Sequence, residues 1–142
     1  MMVESPEAMH KAGRSFAAQL KMGDMVALSG GLGAGKTLFC KGVLEGFGYG
    51  GDVPSPTFNI VHHYAPPDVA LAIIHADLYR LDDPEELAEL GLDEGDAIRL
   101  VEWAERGGRA TANADYRVRI DIVDEARRDV TIESIRENDS AS

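Results

Sequence analysis

The sequence is poor in cysteine and has no long apolar run. Cys40 is its single cysteine, so no disulfide can form within the chain. No apolar segment is long enough to cross a bilayer, and no signal peptide is recognisable. These absences favour a protein of the reducing cytoplasm, in which Cys40 is a buried packing residue rather than a nucleophile.

The sequence also lacks the basic charge that nucleic acids and anionic membranes attract. Lysine and arginine number 14 against 25 acidic residues, so the net charge is −11. Phosphate backbones repel such a chain, which argues against unaided binding of RNA, DNA or membrane. With 142 residues and no internal repeat, residues 1–142 form one domain, and the polar end 136–142 is expected to fray. A large substrate must therefore be held by another molecule.

One glycine-rich segment organises the rest of the sequence. It matches the phosphate-binding pattern G-x(4)-G-K-S/T, and the matching residues are Gly30, Gly31, Leu32, Gly33, Ala34, Gly35, Lys36 and Thr37. Glycine lets backbone N–H groups approach a polyphosphate with no Cβ in the way. Lys36 is expected to reach the outer phosphates, and the Thr37 hydroxyl to hold Mg²⁺. The segment predicts a site for a nucleoside triphosphate.

The flanking residues place this motif between a strand and a helix, as the motif requires. Residues 25–28 read as a buried strand and residues 36–47 as a helix. An earlier amphipathic helix begins at Pro6, with Ser5 as its N-cap, and is expected to end near Lys21.

Two later strands each deliver a carboxylate. Residues 58–64 and 71–79 predict an antiparallel hairpin, and the second of these strands carries Asp77 near its end. Residues 98–103 form another apolar strand, which carries Glu102. Both acids are candidate catalytic or metal-linked groups, and their spacing leaves the division of roles open. Residues 116–123 and 130–135 predict a further hairpin at the solvent edge of the sheet.

Other polar residues suggest a switch but no zinc site. Residues 48–57 are too rich in glycine and proline for regular structure, and Ser55 and Thr57 offer hydroxyls to a γ-phosphate or its metal. An ordinary connector is the open alternative.

His75 and Asp77 share a face of their strand, whereas no cysteine and histidine cluster has zinc spacing. A short helix over 83–91 and an acidic, solvated face over 82–96 are also expected.

These motifs together resemble the TsaE family over nearly the whole chain. The segments that carry the resemblance are the loop 30–37, Ser-Pro-Thr-Phe at 55–58, His-Ala-Asp-Leu-Tyr-Arg-Leu at 75–81, Asp-Pro-Glu-Glu-Leu at 83–87 and Leu-Val-Glu-Trp at 100–103. Members of that family are small bacterial ATPases that assist TsaB and TsaD in making threonylcarbamoyladenosine in tRNA. The resemblance implies an α/β, single-domain P-loop NTPase fold, with a mixed central sheet, flanking helices and antiparallel hairpins.

The resemblance also implies cofactors, partners and roles. ATP would bind the loop, Thr37 and Glu102 would hold Mg²⁺, Asp77 would be a catalytic or metal-shell carboxylate, and Ser55 to Thr57 would form the switch. The partners would be TsaB and TsaD, with tRNA reached only through them. Gly31, Leu38 and Ala104 depart from residues usual in the family. If the hydroxyl missing at Leu38 assists hydrolysis, this protein binds ATP normally and turns it over slowly.

Two other functions fit a one-domain protein with a phosphate-binding loop. A small-molecule kinase would need an arginine-bearing lid, for which the loop with Arg106 and Arg109 is the candidate. A non-catalytic interaction module would use its ATP state without needing the chemistry. No Asn-Lys-x-Asp motif is present, which argues against a guanine-specific switch.

Overall fold

The computed structural model describes residues 1–51, 53, 61–79, 96–104, 111 and 114–135. In that part the chain forms strands and helices in the order β1 Met2–Val3, α1 Pro6–Phe16, β2 Met25–Gly30, α2 Lys36–Gly46, β3 Val61–Tyr64, β4 Ile73–Asp77, β5 Ile98–Glu102, β6 Tyr116–Ile122 and β7 Arg128–Ser134. One turn of 3-10 helix, Ala17–Gln19, follows α1.

All of these strands belong to one mixed sheet in the order β1-β7-β6-β2-β5-β4-β3. The four central strands β6, β2, β5 and β4 run parallel, while β3 and β7 pair antiparallel with their neighbours. Parallel strands end at the same edge of a sheet, and ligands of open α/β sheets bind outside that edge. The loop after β2 and the acids that end β4 and β5 therefore meet at one edge. This arrangement confirms the predicted α/β fold.

The predicted hairpin of β3 and β4 is confirmed, and so is the predicted hairpin of β6 and β7 near one edge of the sheet, with one short, unpredicted strand beyond it. Strand β6 lies next to β2 inside the sheet, and the short β1 pairs with β7 at the outer edge. In β6, Tyr116, Val118 and Ile120 are buried while Arg117 and Arg119 are exposed. That alternation shows that one face of a strand is covered, and it does not show whether the strand has two neighbours.

The first helix is shorter than predicted. Its Ser5 cap and Pro6 start are confirmed, with the Ala8 N–H donating to Ser5 Oγ at 3.0 Å. The α-helix nevertheless ends at Phe16, and the Leu20 N–H bonds to Ala17 O at 3.1 Å in a 3-10 turn. Apolar residues at three- and four-residue spacing continue through both kinds of helix, so the pattern did not mark the change.

Helices α1 and α2 pack closely where glycines face the partner backbone. A Cβ at Gly13 would lie 2.1 Å from Phe39 O, and a Cβ at Gly42 would lie 2.0 Å from His10 O. Beside this contact, the Phe16 ring lies 5.7 Å from that of Phe39 and 5.1 Å from that of Tyr116, between centroids. The two helices thus pack against each other as one layer over the core face of the sheet.

Several predictions lie outside the described residues. They concern the hydroxyls of Ser55 and Thr57, the helix over 83–91, most of the acidic segment 82–96, and the loop with Arg106 and Arg109. Where the chain is described, it contains no helix of the length and apolarity that a membrane span would need.

Candidate functional site

The loop between β2 and α2 has positive φ angles at Gly30, Gly33 and Gly35, a conformation that favours glycine. Gly30 has φ +151°, and a Cβ there would lie 2.5 Å from Ile120 O on the neighbouring strand. Gly35 has φ +107° and is the left-handed N-cap of α2. The N–H groups that begin a helix lack partners within it, so the start of α2 suits an anion.

Lys36, the first residue of α2, is folded back over this loop. Its Nζ donates to Gly30 O at 2.7 Å and to Gly31 O at 2.9 Å, and the residue is buried. The same nitrogen lies 4.4 Å from the centroid of the Trp103 ring. The Trp103 ring in turn lies 4.9 Å from that of Tyr79. A cation and two aromatic rings therefore line one side of the loop.

Glu102 lies at the end of β5 and accepts hydrogen bonds from two elements. The Thr37 hydroxyl is 3.0 Å from Oε1 and 2.9 Å from Oε2 of this carboxylate. His75 Nε2, on β4, lies 2.6 Å from Glu102 Oε2. Glu102 is only 2% exposed and His75 is fully buried. The buried carboxylate is thus aimed at the first turn of α2.

Asp77 is the register partner of Glu102 on the neighbouring strand. It is partly exposed, and its Oδ1 accepts from the Tyr79 N–H at 2.9 Å. Removal from water raises the pKa of Asp77, and the nearby Glu102 charge raises it further, against the lowering effect of the Tyr79 hydrogen bond. Two acids therefore end adjacent strands beside the glycine-rich loop.

A cavity of about 340 Å³ joins these groups. Its lining consists of Leu32, Gly33, Ala34, Gly35, Lys36, Thr37, Leu38, Asp77, Glu102 and Trp103. Gly30 and Gly31 are not part of this lining, but their carbonyls accept hydrogen bonds from Lys36, which is. The structure thus brings together the candidate residues of the loop and both candidate acids.

Comparison with known proteins finds a family whose members match the part of the chain that carries this site. The family model described as "Threonylcarbamoyl adenosine biosynthesis protein TsaE" matches residues 3–130. The chain belongs to the TsaE family. The matched range contains every element of the site described above.

Individual TsaE relatives agree with this assignment. The protein named tRNA threonylcarbamoyladenosine biosynthesis protein TsaE in Haemophilus influenzae is 47% identical over 107 residues, covering 72% of this chain and 66% of that one, which is just under two thirds. Its namesake in Rickettsia felis is 37% identical over 132 residues, covering 90% and 75%. The crystal structure of Bacillus subtilis YdiB superposes with a TM-score of 0.79 at 29% identity, covering 99% of this chain and 88% of that one.

The donor set of this TsaE-family site suits Mg²⁺ and a polyphosphate. A hydroxyl and a carboxylate offer the oxygen ligands that Mg²⁺ prefers. A lysine beside a glycine-rich helix start offers the cation and the N–H donors that phosphates need. Thr37 and Glu102 are already within 3.0 Å of each other, so little rearrangement would place both on one ion.

Cys40 is buried as predicted, but sequence reasoning did not place Cys40 and His75 beside this site. Ligand atoms of Cys40, His75 and Glu102 all lie within 4.8 Å of one another. The three residues come from α2, β4 and β5, so no sequence spacing could show the cluster. Burial raises the pKa of the Cys40 thiol, and the charges of Glu102 and Asp77 raise it further. The one available signal was that His75 and Asp77 share a strand face, which pointed His75 towards the same site.

Proposed function

We propose that this TsaE-family protein binds Mg²⁺–ATP in the 340 Å³ cavity and hydrolyses it slowly. We further propose that it acts in the cytoplasm with TsaB and TsaD to modify tRNA with threonylcarbamoyladenosine. The observation that carries the first proposal is the contact of Thr37 with Glu102 beside Lys36 and the glycine-rich loop. The names of the relatives support the second.

Each residue of the site has a task in this proposal. Lys36 leaves the loop carbonyls to pair with phosphate oxygens, and the loop N–H groups hold the remaining oxygens. Thr37 and Glu102 hold the metal ion, while Asp77, on the adjacent strand, orients the attacking water. Bound Mg²⁺–ATP supplies a transferable phosphoryl group whose charge the metal partly neutralises.

The net charge of the chain supports the need for partners, and the residue at position 38 supports slow turnover. A chain of net charge −11 repels the phosphates of tRNA, so a protein complex must hold the RNA. Leu38 lines the cavity where the family usually offers a hydroxyl, and an aliphatic side chain can neither donate to a phosphate nor orient water. The charge supports the need for partners, and Leu38 supports slow hydrolysis after ATP has bound.

Reconstitution of tRNA modification from purified components tests the proposal. Mixtures with TsaB, TsaD, tRNA and substrates would contain wild type, no added protein, Lys36→Ala or the control Lys41→Ala, whose side chain is exposed on α2. We expect multiple-turnover product with wild type and with Lys41→Ala only. Equal product in all four mixtures would contradict the proposed role.

A second assay separates ATP chemistry from the partners. Asp77→Asn and Glu102→Gln keep side-chain shape and remove charge, so each should lower ATP hydrolysis while thermal unfolding stays cooperative. Glu102→Gln should also weaken Mg²⁺ dependence, since it removes a proposed ligand. Hydrolysis at the wild-type rate in both variants would exclude this site as the ATPase centre.

A further inference from the structure

His75 is not among the described residues that line the cavity, yet of all the described residues it makes the shortest hydrogen bond to Glu102. It is fully buried, and its Nε2 lies 2.6 Å from Glu102 Oε2. An ionised carboxylate only accepts hydrogen bonds, so Nε2 carries the hydrogen in this pair. We propose that His75 is a positioning residue that fixes Glu102 for metal binding, an inference that rests on the proposed Mg²⁺–ATP site.

The sheet determines this contact. Strands β4 and β5 are parallel, with His75 opposite Leu100 and Asp77 opposite Glu102. His75 and Asp77 are two residues apart, so they project from the same face of the sheet. Asp77 reaches the cavity from that face, whereas His75 lies one step deeper and reaches the carboxylate from behind. Their positions along β4 thus give the two residues different surroundings: Asp77 lines the cavity, and His75 contacts Glu102.

Glu102 needs such support because its other contact is one that metal binding would change. Among the described residues its side-chain partners are Thr37 and His75. The Thr37 hydroxyl lies within 3.0 Å of both carboxylate oxygens, so it does not select one of them. Once Thr37 and Glu102 both turn towards an ion, His75 keeps the carboxylate from rotating. Partners of metal-binding carboxylates commonly have this role.

The geometry argues against a transition-metal site made by Cys40, His75 and Glu102. Two ligands of one tetrahedral Zn²⁺, each about 2.0 Å from the ion, lie roughly 3.3 Å apart. The nitrogen of His75 and the oxygen of Glu102 are 2.6 Å apart, which is a hydrogen-bond distance. Glu102 is therefore held by an imidazole N–H.

Three substitutions at one position distinguish positioning from packing. His75→Gln carries an amide N–H at the reach of Nε2, whereas His75→Asn carries the same amide one carbon short of it. His75→Leu keeps the bulk without a donor. His63→Leu is the matched control, since His63 is the exposed residue on the adjacent β3. Thermal unfolding of each variant reports the cost to the fold.

The measurement is Mn²⁺ affinity by electron paramagnetic resonance with a non-hydrolysable ATP analogue, together with calorimetry of the analogue in EDTA. We expect Asn and Leu to weaken Mn²⁺ binding about 10- to 100-fold, with Gln and the control near wild type. Affinity for the metal-free analogue should stay within about twofold in all variants, since His75 touches no phosphate-binding residue. Equal Mn²⁺ affinity in the three His75 variants would overturn the inference about His75 and leave the proposed function standing. Failure of the wild-type protein to bind Mn²⁺ with the analogue would overturn the proposed function, and the inference with it.

If the His75 variants fail to fold, a measurement on the wild-type protein still tests the inference. The Nε2 proton of His75, buried and bonded to a carboxylate, should give a slowly exchanging proton resonance in nitrogen-15 spectra. It should persist when the Mg²⁺ complex of the analogue binds, because the proposed role continues in that state. Its loss on binding would overturn the inference.

Discussion

Trp103 holds its ring against the ammonium group of Lys36, 4.4 Å from nitrogen to ring centroid, while its own backbone has φ +57°. Positive φ in a bulky residue costs on the order of 1–3 kcal/mol. A partly desolvated cation–π contact returns about 1–2 kcal/mol. The strained turn after β5 thus persists together with the contact that places an aromatic ring beside Lys36 of the glycine-rich loop.

Tryptophan fluorescence should therefore report nucleotide binding. Trp103 is the single tryptophan of the sequence, so all indole emission comes from the site. Movement of Lys36 from the ring to a phosphate should change the intensity or wavelength of that emission on titration with Mg²⁺–ATP. Lys41→Ala should keep the response, and Lys36→Ala should reduce it. Unchanged emission at a concentration that calorimetry shows to be saturating would contradict this prediction.

Lys36→Ala should weaken ATP binding without unfolding the protein. A charge-assisted hydrogen bond contributes about 1.5–3 kcal/mol, which corresponds to a loss of affinity of about 10- to 150-fold. The Lys36 side chain donates to two loop carbonyls in this structure, and it must give up these hydrogen bonds to pair with a phosphate. We therefore expect a loss of affinity in the lower half of that range. Isothermal titration calorimetry measures the effect, with Lys41→Ala as control. Affinity equal to wild type would remove Lys36 from the phosphate site.

The site was predictable from sequence to the extent that it follows from a contiguous motif or a strand end. Residues 30–37 form a contiguous motif, and Asp77 and Glu102 each follow an apolar run, so parallel strands had to bring them to one edge. The contact of His75 with Glu102 and that of Lys36 with Trp103 depend on register between distant segments. Residue spacing along the chain carries no such information.

The fold was predictable for similar reasons, with its errors at the edges. Buried central strands have long apolar runs, whereas β1 has two residues and no pattern to detect. This short strand pairs with two residues of β7, so it lies outside the C-terminal hairpin that was predicted to form the edge. The glycines of α1 and α2 likewise gave no signal by themselves, because only the close crossing of the helices shows what they permit.

Cys40 should be unreactive in the folded protein. It is fully buried, and burial raises the pKa of its thiol well above the ordinary value, so the reactive thiolate is scarce at pH 8. Labelling with a disulfide reagent at pH 8 should be slow in native protein and complete in denaturant. The reagent can reach the thiol only when the protein opens. Rising pH should therefore speed labelling of native protein far less than it speeds labelling of denatured protein. Rapid labelling of native protein would show that α2 does not pack as described.

Gly42→Ala should destabilise the protein although alanine favours helices. Its Cβ would lie 2.0 Å from His10 O and 2.9 Å from Arg14 N, which are backbone atoms of α1 that cannot turn aside. The helices must separate, and overpacking of this kind costs about 1–3 kcal/mol or more against a gain of up to about 1 kcal/mol in helix propensity. Gly50→Ala is the control, since nothing lies within 4 Å of a Cβ at Gly50 and its φ is not positive. Urea unfolding should show a lower midpoint for Gly42→Ala and an unchanged or slightly higher one for Gly50→Ala. Equal midpoints would mean that the close crossing of α1 and α2 does not exist in solution.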